Sequence, residues 1–279
     1  MGLTDRTPLT FERGPLVPAA AYLVVIGVLS ALVFVSPAAS PPPVLGMAWG
    51  VFLVGLAIGA FTVEGVSQRR VLPSARALVS VSGVLAAFWA LYNLVAVALA
   101  LGGVVGFEAA WSRAAARPLP YLAALSSSLL FTAIPEELFF RAYLQQRLVA
   151  MAGGDTRRTV VAGVAAAALL FAVFHLPRWV LASGHGVGTA LVVRFAGLTL
   201  AGLAYGLVYA VTGNLWLVAL CHATMNYPPL LVSVHVPAEL HLVAGAVEYA
   251  ALVSVVYLAV RVLDPDRPAP VWSRKGFAS

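Results

Sequence analysis

Eight stretches of this chain, 18 to 31 residues long, carry almost no charge, and that pattern limits the fold more than any motif does. They run from Pro18 to Pro37, Leu45 to Val66, Ala77 to Gly103, Leu119 to Val149, Thr159 to Leu176, Leu191 to Thr212, Leu215 to Val234 and Glu239 to Val262. A helix needs roughly 20 mostly apolar residues to cross a bilayer, and in lipid only helices or closed barrels satisfy every backbone group. These stretches are too long and too little alternating for barrel strands. The expected fold is therefore all-α, a polytopic bundle of about eight transmembrane helices. Composition agrees, with 61% hydrophobic and only 10% charged residues, against ~25% charged in soluble domains. One cysteine, Cys221, leaves no intrachain disulfide, and the 24 glycines and 18 prolines follow no fibrous period.

The scarce charges orient the spans, because Lys and Arg in short loops favour the cytoplasmic side. Arg6, Arg13, Arg69, Arg70, Arg76, Arg147, Arg157, Arg158, Arg261, Arg267, Arg274 and Lys275 fall on one side, and Arg113, Arg117, Arg178 and Arg194 on the other. Twelve against four predicts cytoplasmic termini in a multi-pass protein of the cell membrane, with Arg141 the one arginine left inside a span. The net charge of +6 thus marks membrane edges and lipid contact rather than a nucleic-acid partner. The first stretch reads as a retained span and not a signal peptide, since it exceeds the usual apolar core and Asp5 and Glu12 offset the charge ahead of it. Pro37 to Pro43 and Arg113 to Pro118 read as connections, and Asp264 to Ser279 as a polar tail.

Polar groups at membrane depth are costly and therefore informative. They concentrate in Pro135, Glu136, Glu137 and Arg141 of the fourth stretch, Phe171 and His175 of the fifth, and Cys221, His222, Asn226 and Tyr227 of the seventh. Glu137 and Arg141 stand four apart and can pair on one helix face, which leaves Glu136 about 100° away for another partner. Pro135 opens the helix ladder beside them. His222 and Asn226 share a face and can both donate to one small group, as an oxyanion site requires. Glu136 and His175 can hold a water as a general-base pair; with His222 they can instead ligate a divalent metal such as zinc. Interhelical hydrogen bonding is the ordinary alternative for each residue taken singly. Glu64 and Glu248 read as structural, facing each other or a lumen, and His185, His235 and His241 as solvated.

Three motifs now stand in order: Glu136-Glu137-Leu138-Phe139-Phe140-Arg141 as EExxxR, Phe171 to His175 as FxxxH, and His222 to Asn226 as HxxxN. Together they resemble the CPBP family of intramembrane proteases, which includes CAAX prenyl endopeptidases, Abi proteins and bacteriocin-processing or immunity proteins. The resemblance covers about Leu119 to Pro229. It implies a catalytic core over 119–230, preceded by three helices in 1–118 and followed by a last helix and tail in 231–279. It further implies that Glu136 with His175 activates water, His222 with Asn226 binds the oxyanion, and Glu137 with Arg141 supports the site. It leaves open a metal-dependent and a metal-independent scheme; HExxH is absent. The expected partners are a peptide or membrane-protein substrate and the bilayer, with the oligomeric state open.

Other chemistries fit less well. Ser126, Ser127 and Ser128 lack a GxSG setting, every aspartate lies outside the spans, and Cys221 is turned about 100° from His222. A non-catalytic protein for bacteriocin immunity or solute transport is the rival reading, although no internal repeat of the transporter kind is visible. Sixteen arginines to one lysine indicate a GC-rich, prokaryotic coding sequence. One difficulty is depth. Straight helices starting at Leu119 and Thr159 put Glu136 and His175 near opposite membrane edges, so the fourth helix must be displaced or tilted.

Overall fold

The computed structural model describes residues 9, 11–35, 42–67, 75–154, 156–182 and 186–263. Its longer helices are α1 (Leu16–Val35), α2 (Pro43–Val63), α3 (Ala75–Leu101), α4 (Pro118–Met151), α5 (Arg157–Phe174), α6 (Thr189–Thr212), α7 (Leu215–Asn226) and α8 (His241–Leu263). Among the described residues seven of the helical segments are long and apolar enough to cross a membrane, and α7 is a shorter apolar helix. Large apolar residues such as Leu23, Phe34, Leu94, Val192 and Leu258 are exposed on the outer faces, as lipid-facing helices require. Most of the connection Pro37 to Pro43, the tail from Asp264 and His185 lie outside the described residues.

The seventh stretch was expected to continue to Val234, and it stops at Asn226 for local reasons. Gly213, with φ 65°, takes the left-handed conformation that closes α6, and the Asn214 side chain then accepts from the Leu217 N–H to begin α7. The helix runs for twelve residues, and just beyond its end Pro228 and Pro229 supply no backbone donors, so it cannot continue. The chain beyond is held by side chains instead. Asn93 of α3 donates to the Pro229 carbonyl and accepts from the Leu231 N–H, while Tyr121 of α4 donates to the Tyr227 carbonyl. Past these anchors the chain forms a short strand rather than helix. β2 (Val232–Val234) pairs antiparallel with β1 (Phe107–Trp111), with Phe107 opposite Val234 and an irregularity between Glu108 and Trp111.

Small residues set the spacing of the inner helices, as is usual where backbones approach in membranes. A Cβ on Gly163 of α5 would lie 2.8 Å from the Val149 nitrogen of α4, and one on Gly202 of α6 would lie 2.9 Å from Ala168 Cα of α5. Both obstacles are backbone, so a side chain there forces the helices apart. Gly202→Leu is expected to lower stability by about 1–3 kcal/mol. Thermal melts in detergent against Gly55→Ala, where no atom lies within 4 Å of the new Cβ, provide the comparison.

Within α4 the proline is absorbed by widening rather than by a break. Leu129–Ala133 and Leu138–Gln145 are π-helical, with the α-helical turn Ile134–Glu137 between them. Pro135 sits at the start of that turn, where a missing N–H is tolerated best. The longer hydrogen-bond reach of the π turns accommodates its ring and re-aims the residues after it. The backbone of α2 comes close at this point, since a Cβ on Gly50 would fall 2.5 Å from the Phe131 oxygen.

Candidate active site

Glu137 is the hub of the polar cluster. Its Oε2 accepts from Arg141 Nε at 2.9 Å and its Oε1 from His222 Nδ1 at 2.8 Å, with Glu137 and Arg141 fully buried. The paired carboxylate thus fixes the imidazole as well as neutralising the arginine. The Arg141 guanidinium lies 5.0 Å over the Phe171 ring, an apolar partner for the part of the cation that Glu137 does not reach. Tyr205 of α6 stacks on the imidazole itself: its ring lies 5.0 Å from that of His222 at 19°, and Phe171 meets the same imidazole edge-on. His222 is therefore held by one hydrogen bond and two rings. Its Nε2 points toward Glu136, whose Oε2 is 3.9 Å away.

Glu136 differs from its neighbour. It is buried, and its Oε2 has no hydrogen-bond partner. At the C-cap of α5, His175 Nδ1 lies 2.8 Å from the Phe171 carbonyl oxygen. A carbonyl only accepts, so Nδ1 carries the proton and Nε2 is left as an acceptor. Glu136, His175, His222 and Asn226 line one cavity of about 1040 Å³, walled by residues of α1, α2, α4, α5, α6, α7 and α8. Glu137 and Arg141 stand behind its wall.

The depth difficulty resolves in the pairing of α4 with α5. Val149 packs against Gly163 and Phe140 against Phe171, so the two helices run antiparallel in a register that brings Glu136 level with His175. Leu119 is not the edge from which depth should be counted, because α4 is 34 residues long and reaches well beyond a single crossing.

The two acids outside the motifs fall in different places. Glu64 does not face Glu248: its Oε1 accepts from Arg147 Nε at 2.9 Å and its Oε2 from the Arg13 backbone N–H at 3.2 Å. Arg147 lies in the last turns of α4, buried against Glu64 at the C-terminal end of α2. Glu248 lines the cavity and accepts from the Tyr92 hydroxyl at 2.6 Å. His235 and His241 are exposed. Cys221 is buried and absent from the cavity wall.

Tyr205, Asn93 and Glu248 complete the surroundings, and sequence reasoning passed over the first two. Asn93 carried the same signal as the motif residues, an amide in the middle of an apolar span. Tyr205 carried none, since an aromatic on a membrane helix is ordinary.

A catalytic zinc takes three protein ligands as a rule. Among the described residues no three His, Cys, Asp or Glu side chains are grouped to hold a metal ion. His222 Nδ1 is held by Glu137, which leaves Nε2 as the nitrogen facing Glu136.

A bundle of apolar helices enclosing a cavity lined by buried Glu136 and His222, half-buried His175 and exposed Asn226 defines a polytopic membrane protein with a polar interior site. Residues 118–228 match the family described as Rce1-like type II CAAX prenyl endopeptidase, the same CAAX protease group that the three motifs resemble. The match supports a CAAX-type intramembrane protease in general terms, and with the seven apolar helices it indicates a multi-pass membrane protein. No curated protein and no solved structure matches the chain.

Proposed function

We propose that this protein is an intramembrane endopeptidase that hydrolyses a peptide bond of a membrane-associated or lipidated peptide or protein, with both chain termini in the cytoplasm. The observation that carries the reading is Glu136 Oε2, a buried acceptor without a partner in a cavity it shares with His175, His222 and Asn226. Leaving such a group unpaired is costly. It is the place where a water molecule finds its acceptor.

In the proposed reaction that water gives one proton to Glu136 and a hydrogen bond to His175 Nε2 as its oxygen attacks the carbonyl carbon. Charge gathering on the carbonyl oxygen meets His222 Nε2–H and the Asn226 amide. Glu136 then returns the proton to the departing nitrogen, and the C–N bond breaks. His222 donates from both nitrogens when protonated. In that form the charges of Glu136, Glu137, Arg141 and His222 sum to zero, the balance that a low-dielectric site favours. Leu29, Leu32 and Trp49 supply an apolar wall suited to the hydrophobic part of a substrate.

The test compares the membrane peptidomes of cells carrying the native protein and Glu136→Ala. Peptides released by the native protein alone are expected, and a chelator is expected to leave their release undiminished. Identical peptidomes overturn the protease assignment. Loss of release on chelation, restored by zinc, overturns the metal-free route while keeping the protease.

A further inference from the structure

A second carboxylate reaches the cavity from outside the matched segment. Glu248 of α8 is partly buried, lines the cavity, and has its Oε1 held by the Tyr92 hydroxyl of α3 at 2.6 Å. No other hydrogen bond to Glu248 is found among the described residues, and no ion pair joins it to Arg194, which lines the same cavity from α6. One oxygen is positioned by Tyr92, and the other accepts no hydrogen bond from the described residues. A carboxylate in an apolar bundle is expensive to maintain, and a cation is its natural complement.

Glu248 shares its cavity with Glu136, His175 and His222, and the next residue on α8 packs toward the same cluster. Tyr249 meets Tyr205 edge-on with centroids 5.8 Å apart, and Tyr205 stacks on His222 at 5.0 Å. We propose that Glu248, positioned by Tyr92, is a specificity-determining residue that binds a basic side chain of the substrate at a fixed offset from the scissile bond. This rests on the peptidase reading given above.

The probe is a set of apolar decapeptides in which one position, moved along the chain, is Lys, Gln or Glu. They are presented to protein reconstituted in phosphatidylcholine vesicles, with products and cleavage points read by mass spectrometry. The native protein is expected to favour Lys over Gln by about tenfold or more at one fixed offset from the cut, the scale of a charge-assisted hydrogen bond. Glu248→Gln keeps an oxygen for Tyr92 and is expected to bring that ratio close to one; Glu248→Lys should turn the preference toward Glu; Tyr92→Phe should weaken it. A Lys-to-Gln ratio unchanged by Glu248→Gln, or no Lys preference in the native protein, overturns the proposal while Glu136-dependent cleavage stands. Cleavage by Glu136→Gln within tenfold of the native rate overturns the Glu136-dependent peptidase reading on which the proposal rests, whatever the ratio.

Discussion

Glu136→Gln protein in proteoliposomes is expected to cleave its substrates about 10²- to 10⁴-fold more slowly than the native protein, the range associated with loss of a positioned general base. The amide has the size of the carboxylate but cannot take the proton of the attacking water. Stability should not fall, since Glu136 Oε2 has no partner to lose and a neutral amide is the easier group to bury. Single-turnover peptide release and thermal melts on the same preparation separate the two effects. A residual rate within tenfold of native would exclude Glu136 as the base.

Glu137→Ala is expected to fail differently, losing about 3–5 kcal/mol of stability as well as activity. The substitution strands the Arg141 guanidinium and leaves His222 Nδ1 without its acceptor. Combining it with Arg141→Met removes the uncompensated charge, so much of the stability should return. Activity should not return, because His222 is still untethered. Recovery of both would reduce Glu137 to a charge partner with no part in positioning the imidazole. The measurements are thermal unfolding in detergent and peptide release for the native, single and double variants.

Much of this architecture is legible in the sequence because the solvent is lipid. A helix facing hydrocarbon must be apolar along its length, so α1 to α6 and α8 declare themselves by hydropathy. The same rule makes Glu136, Glu137, Arg141, His175 and His222 conspicuous as exceptions. Hydropathy overran at α7, since Leu230 to Val234 are as apolar as a helix requires and only Pro228 and Pro229 speak against it. The five-residue strand at Phe107 and the three-residue strand at Val232 are too short to show a period. Partners drawn from distant helices are the least legible of all. Glu64 meets Arg147 and Tyr92 meets Glu248 across 83 and 156 residues, and nothing in either local sequence selects one partner over another. The π turns of α4 are likewise invisible, because they are the backbone's answer to Pro135 in the company of Gly50 and its neighbours.

The ribbon of β1 and β2 lies immediately before and after the segment 118–228. In topological terms that segment is a cassette whose beginning and end leave side by side. Adjacent ends are the geometry in which one unit can be inserted into another without disturbing either. Tyr92 and Glu248 lie on the outer side of this seam, one before it and one after it, whereas Glu136, His175, His222 and Asn226 all lie within. The carboxylate proposed to select a substrate and the residues proposed to cut it thus belong to separate parts of the chain.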